Sequence, residues 1–200
     1  QPRMVQGMGF GLCFMPLNVV AFSSISPAFR TDGAGLLRSL EADQGVRPDG
    51  LRCVVFGAGG AARSVVHALG AAGAADVAVV NRTCERGEAA AALAGPAGRV
   101  GEPADVVGAD LVVNATSVGM GADPDDASSS VVGPDHLREG QTVVDLVYVP
   151  IETPLLRLAA KAGARPVDGL GMLVHQAALA VELWTGTVPD VGAMADAARS

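Results

Sequence analysis

Short apolar runs alternate along most of the chain with longer stretches of helical periodicity. Leu51 to Phe56 (LRCVVF), Asp76 to Val80 (DVAVV), Leu111 to Asn114 and Thr142 to Val147 are each short, rich in Val and bounded by polar or glycine-containing segments. That pattern predicts buried strands. Arg165 to Val167 adds a brief one. Between them, helices are expected from Thr31 or Asp32 through Leu40, from Gly60 to about Ala72, over Cys84 to Leu93, over Pro154 to Ala162 and over Leu170 to Trp184. Thr31 or Asp32 suits a helix cap, and Arg47-Pro48-Asp49-Gly50 suits a turn. In the last helix, Leu170, Leu173, Val174, Ala177, Val181 and Trp184 form an apolar stripe that reads as core. Strands that are apolar on both faces and alternate with helices imply an α/β fold, a doubly wound parallel sheet covered on both sides.

Residues 1–29 have a different character. They hold Phe10, Phe14, Phe22 and Phe29, four of the seven aromatic residues, and a single charge, Arg3. An uncharged window of this length suffices to cross a bilayer, but Pro16, Asn18 and a serine cluster interrupt it, and membrane contact is not the favoured reading. A secretory signal fits less well, because no basic segment precedes the apolar one. The run from Gln6 to Leu37 (QGMGFGLCFMPLNVVAFSSISPAFRTDGAGLL) resembles part of a drug–proton antiporter of the major facilitator type. The expected organisation is therefore an apolar segment, 1–29, followed by an α/β domain, 30–200, with a chimeric junction as one explanation and a divergent substrate domain as the other.

Composition narrows the partners. Twenty-one acids against 14 bases give a formal charge of −7, which argues against general affinity for nucleic acid. Cys13, Cys53 and Cys84 are odd in number and contain no CxxC, so a reducing cytoplasm is the simpler setting. His67, His136 and His175 lack metal-ligand spacing, and no metal is expected.

The most informative local motif is Gly57-Ala58-Gly59-Gly60-Ala61-Ala62, a GxGxxA sequence between an expected strand and an expected helix. There Gly57 permits the turn, Gly59 admits a pyrophosphate, and the helix N-terminus supplies free N–H groups to the anion. At the end of the next strand, an NAD site would carry an acid for the ribose 2′-hydroxyl. This chain has Asn81-Arg82-Thr83 there, with Arg86 one turn later. Guanidinium forks suit a 2′-phosphate, so NADP is the expected cofactor, although both arginines also suit a solvated helix start.

These motifs join Arg30-Thr31-Asp32-Gly33, Asn114-Ala115-Thr116-Ser117-Val118-Gly119-Met120, Asp145-Leu146-Val147-Tyr148, Asp168-Gly169-Leu170-Gly171-Met172-Leu173-Val174-His175-Gln176-Ala177 and Trp184-Thr185-Gly186. Together and in this order, from about Thr31 onward, they resemble the shikimate dehydrogenase family. The resemblance implies NADPH-dependent reduction of 3-dehydroshikimate to shikimate, a step of aromatic amino acid biosynthesis, with a Lys–Asp pair at the reacting oxygen. By the same resemblance Asp32 is the catalytic Asp and also meets substrate. Tyr148 and Gln176 match substrate-contacting positions. Gly57, Ala58, Gly59, Gly60, Ala61, Asn81, Arg82, Thr83 and Arg86 match cofactor positions, and Leu146 and Gly169 match the nicotinamide end. Asp32 alone would also serve as a helix cap, Gln176 as an exposed polar residue, and Tyr148 as a packed ring with a solvated hydroxyl.

The chain departs from the family pattern in two places. The family's catalytic Lys belongs to an N-terminal substrate domain, whereas the only Lys here is Lys161. Arg30 stands where the family has Asn. A quinate/shikimate dehydrogenase using NAD and a dinucleotide-binding module without catalysis are the competing readings. Oligomeric state is not legible in the sequence.

Overall fold

The computed structural model describes residues 31–199. Its centre is a six-stranded sheet in which β1 (Arg52–Phe56), β2 (Asp76–Val80), β3 (Gly98–Val100), β4 (Leu111–Asn114), β5 (Thr142–Asp145) and β6 (Arg165–Val167) lie in the order β3-β2-β1-β4-β5-β6. Every pairing is parallel. The chain first moves outward from β1 to β3, then returns across β1 to begin β4. That reversal opens a crevice beyond the strand ends, where ligands of open α/β sheets bind.

Successive residues of β1 serve opposite faces. Cys53 and Val55 join Val77, Val79, Leu111 and Val113 in one core. Val54 and Phe56 join Ala78, Val112 and Val143 in the other. Both faces are covered, which accounts for the apolar runs. The first core is closed by α1 (Thr31–Gln44), α2 (Gly60–Ala71) and α3 (Cys84–Ala91), through residues such as Leu36, Leu40, Val65, Leu69 and Ala90. The second is closed largely by α4 (Pro154–Lys161), through Leu155, Leu158 and Ala159. Helices α5 (Gly169–Thr185) and α6 (Val191–Arg199) complete the chain.

Glycines bring α1 close to two neighbours. A Cβ on Gly33 would run into the backbone of Ser64 in α2, and one on Gly35 would lie 2.8 Å from the Met172 carbonyl oxygen in α5. The TDGAG sequence is thus shaped by helix packing, with one glycine facing each partner.

Several boundaries differ from expectation. β5 stops at Asp145 rather than Val147, because the Asp145 carboxylate accepts the Val147 N–H at 3.0 Å and turns the chain. α1 continues to Gln44. α3 ends at Ala91 and passes into a 3₁₀ segment, Ala92–Ala97, containing Pro96. The three-residue β3 and the helix α6 have no counterpart among the expected elements. The α5 stripe is corrected as well: the buried positions of the helix are Gly169, Leu170, Val174, His175 and Ala178, whereas Leu173 is 36% and Trp184 79% exposed. Among the described residues, no helix is long and apolar enough to cross a membrane.

Candidate functional site

The loops at the C-terminal ends of β1, β2, β4 and β5 form the rim of the crevice. At β1, Gly57 has φ +108°, a conformation that favours glycine. A Cβ there would lie 3.0 Å from the Ala115 carbonyl oxygen. The Gly57 N–H donates to the Val80 carbonyl at 2.9 Å, which joins the β1 and β2 ends. Gly59 caps α2 without a side-chain hydrogen bond. A Cβ on Gly59 or Gly60 would meet nothing within 4 Å. The helix therefore begins beside open space, with first-turn N–H groups uncapped by any side chain. A pyrophosphate fits such a cradle by both shape and charge.

At β2, the Asn81 amide donates to the Thr83 carbonyl at 2.8 Å and shapes the turn into α3. Thr83 caps that helix without a side-chain bond. Arg82 and Arg86 are exposed, and no hydrogen bond or ion pair engages either side chain among the described residues. No carboxylate stands at the β2 end itself, where Val80, Asn81 and Arg82 follow one another. Two free guanidiniums are present instead, a donor set that fits a phosphate.

The ends of β4 and β5 are joined by a buried network that motif reading did not single out as structural. Asn114 and Asp145 are register partners, and both are fully buried. The Asn114 amide donates to Asp145 Oδ1 at 2.9 Å and to the Val118 carbonyl at 3.1 Å. Its oxygen accepts from the Thr116 N–H at 3.0 Å and the Thr116 hydroxyl at 2.7 Å. Asp145 Oδ2 accepts from the Thr153 hydroxyl at 2.6 Å, and Thr153 in turn caps α4. Burial raises the Asp145 pKa above the ordinary carboxyl value, while the Thr153, Val147 and Asn114 donors oppose that rise. The available sequence signal was a polar residue closing each of two neighbouring apolar strands.

Leu146 follows directly, its N–H held by the Asn114 carbonyl at 2.9 Å. Gly169 opens α5 against the same segment: a Cβ there would lie 2.8 Å from the Leu146 carbonyl and 2.9 Å from that of Asp145. Tyr148 stands two residues beyond Leu146 and is 46% exposed. Asp32 and Gln176 belong to the α1–α5 crossing. Gly35, one turn after Asp32, packs where a Cβ would be 3.0 Å from the Gln176 backbone nitrogen and 3.1 Å from its Cβ. Asp32 lies inside the first turn of α1, and no hydrogen bond or ion pair engages its side chain among the described residues. Burial raises its pKa above the carboxylate norm. The structure thus gathers the Gly57–Ala61 turn with Asn81–Arg86, seats Leu146 against Gly169, and sets Asp32 one turn from the Gln176 contact.

The chain is similar to known proteins over most of its length. Residues 42–119 match the family model for shikimate / quinate 5-dehydrogenase, and residues 169–199 that for the shikimate 5′-dehydrogenase C-terminal domain. Shikimate dehydrogenase (NADP(+)) of Geobacter sp. strain M21 is 42% identical over 192 residues, covering 89% of this chain and 64% of the relative. That of Halobacterium salinarum is 43% identical over 187 residues, covering 92% of this chain and 68% of the relative. A solved shikimate 5-dehydrogenase of Thermus thermophilus, in complex with NADP(H) and shikimate, superimposes with a TM-score of 0.76 at 42% identity. That likeness covers 84% of this chain and 61% of the solved one.

The antiporter resemblance of residues 6–37 finds no support. The Halobacterium match leaves only 8% of the 200 residues, or 16, outside it, so dehydrogenase similarity enters the segment before residue 30. Residues 31–37 belong to α1, which packs against α2 and α5, and the remainder of that run lies outside the described residues. The chain spans about three fifths of the length of several of the proteins it resembles, and it belongs to the shikimate dehydrogenase family.

Proposed function

We propose that this chain carries the NADP-binding half, and the Asp-bearing part of the substrate site, of a shikimate dehydrogenase. The observation that carries the reading is the β2 turn: Asn81 in place of an acid, followed by two unengaged arginines beside an open glycine turn. The quinate-type, NAD-dependent reading would place a carboxylate at that turn to accept from the ribose hydroxyls, and Asn81 stands there instead.

The cofactor, when bound, supplies the hydride for reduction of a ring ketone. The chain's own residues hold and orient the reactants. N–H groups at the start of α2 receive the pyrophosphate, Arg82 and Arg86 grip the 2′-phosphate, and Thr83 borders the ribose. Leu146 and Gly169 form a close-packed wall at the nicotinamide end, excluding water. Gln176 and Tyr148 offer an amide and a phenol to substrate hydroxyls. Asp32 stands at the reacting oxygen as the Asp of a Lys–Asp pair, accepting a hydrogen bond there and orienting the group that carries the proton. A reducing, cytoplasmic setting accords with the free thiols of Cys53 and Cys84.

Titration of the 200-residue chain with NADPH and NADH tests the reading. A charge-assisted hydrogen bond is worth about 1.5–3 kcal/mol, so NADPH binds roughly 10- to 100-fold more tightly. Arg82→Asp abolishes that preference through repulsion. Equal affinities in the unaltered chain contradict the assignment.

A further inference from the structure

We infer that Arg63 is a third cation for the 2′-phosphate of the cofactor, and so a determinant of NADP over NAD. The inference rests on the proposed reading of the β1 and β2 loops at the rim of the crevice. Eight of the described arginines are held by a carboxylate or a backbone carbonyl. Among the described residues, Arg63, Arg82 and Arg86 alone of the arginines have neither.

These three belong to one region of the fold. The Arg63 N–H closes the first turn of α2 by donating to the Gly59 carbonyl at 2.9 Å. One turn on, His67 Nδ1 lies 3.4 Å from the Leu93 carbonyl oxygen. Two turns on, a Cβ on Gly70 would lie 2.6 Å from the Ala94 Cα. Residues 63, 67 and 70 share one helical face, so Arg63 is on the side of α2 that looks toward α3 and its continuation. Helical side chains lean toward the N-terminus. An arginine at this position leans toward the glycine turn, along the flank where Arg82 and Arg86 enter α3.

Its placement also separates its target from the pyrophosphate. The open space lies at Gly59 and Gly60, where backbone N–H groups serve the pyrophosphate, while Arg63 stands on the α3 flank. A phosphomonoester there presents three oxygens and up to two negative charges, more than one guanidinium satisfies. The nearby acids do not neutralise Arg63: Glu88 accepts the Cys84 thiol at 3.6 Å, and neither Glu85 nor Glu88 forms an ion pair among the described residues.

The test is a set of NADPH and NADH titrations of the wild-type chain, Arg63→Met and Arg63→Lys. Met keeps the apolar stem and removes the charge. Arg63→Met weakens NADPH by about tenfold and leaves NADH within twofold, and Arg63→Lys falls between. Unchanged NADH affinity shows that the variant is folded; Arg63→Gln replaces Met if its melting temperature has collapsed. Equal loss for both cofactors, or no loss for either, overturns the role of Arg63 while leaving the cofactor reading intact. A wild-type chain without NADPH preference overturns both.

Discussion

Asn114 and Asp145, register partners at the ends of β4 and β5, are joined by a 2.9 Å hydrogen bond between buried side chains. Through Thr116 and Val118 on one side, and Val147 and Thr153 on the other, this pair fixes the two loops on its side of the crevice. Geometry at the nicotinamide end is therefore set by polar contacts beneath it. Three donors converge on the carboxylate, which offsets part of the cost of its burial.

Removing that carboxylate is expected to be costly. Asp145→Ala leaves the Thr153 hydroxyl, the Val147 N–H and one Asn114 proton without their acceptor. Each unmade buried bond costs about 1–3 kcal/mol, so a loss of about 3 kcal/mol or more in urea unfolding is predicted. A loss below about 1 kcal/mol would show that the network is dispensable.

Two glycines are expected to respond oppositely to alanine. At Gly169 the new Cβ meets backbone at 2.8–2.9 Å, so α5 must shift, at a cost of about 1–3 kcal/mol. At Gly59 the space is open and φ is −77°, so Gly59→Ala changes stability by no more than about 0.5 kcal/mol. The same methyl occupies the approach of the pyrophosphate, and NADPH affinity falls. Urea midpoints and cofactor titrations on the two variants check both halves.

The sheet was legible because its strands are apolar on both faces and the glycine turn sits between β1 and α2. β3 escaped notice because only three residues pair, two of them exposed. The end of β5 was misplaced because a side chain, Asp145, replaces the ladder at Val147, and no periodicity records that. Trp184 completed an apolar stripe in sequence yet lies 79% exposed, since helical spacing gives a face but not the neighbour that covers it. Asp32 and Gln176 were named through family motifs. Their relationship through Gly35 needed the crossing of α1 and α5.

Acid sensitivity is expected to involve Asp105. The Arg99 guanidinium, at 2.9 Å, and the Glu102 N–H hold its pKa below the ordinary value. A depressed carboxyl pKa contributes stability that is present above the unfolded value and is lost as pH falls through the folded one. The pair is partly exposed, so its contribution is at most about 1 kcal/mol. Asp105→Asn destabilises at pH 7, and the difference from wild type fades as pH falls below the ordinary carboxyl range. Denaturant midpoints across that range measure it, and a difference constant with pH would contradict the ion-pair account.

Turnover by the 200-residue chain is expected to be slow. Its one lysine, Lys161, ends α4 as the chain returns toward β6, away from Asp32 in the first turn of α1. Loss of a positioned acid typically costs about 10²–10⁴-fold. Shikimate oxidation followed by NADPH absorbance should fall well below about 1 per second. A rate of about 10 per second or more would mean that another group performs the proton transfer.

The central claim, that the β1 and β2 loops at the rim of the crevice receive the phosphates of NADP, is tested most directly by a crystal structure of the chain with NADPH. The account predicts the pyrophosphate over the N–H groups that begin α2 at Gly59 and Gly60, and the 2′-phosphate within hydrogen-bond distance, about 3 Å, of Arg82 and Arg86. A nucleotide bound elsewhere, or bound here with its 2′-phosphate turned into solvent away from both arginines, would contradict it.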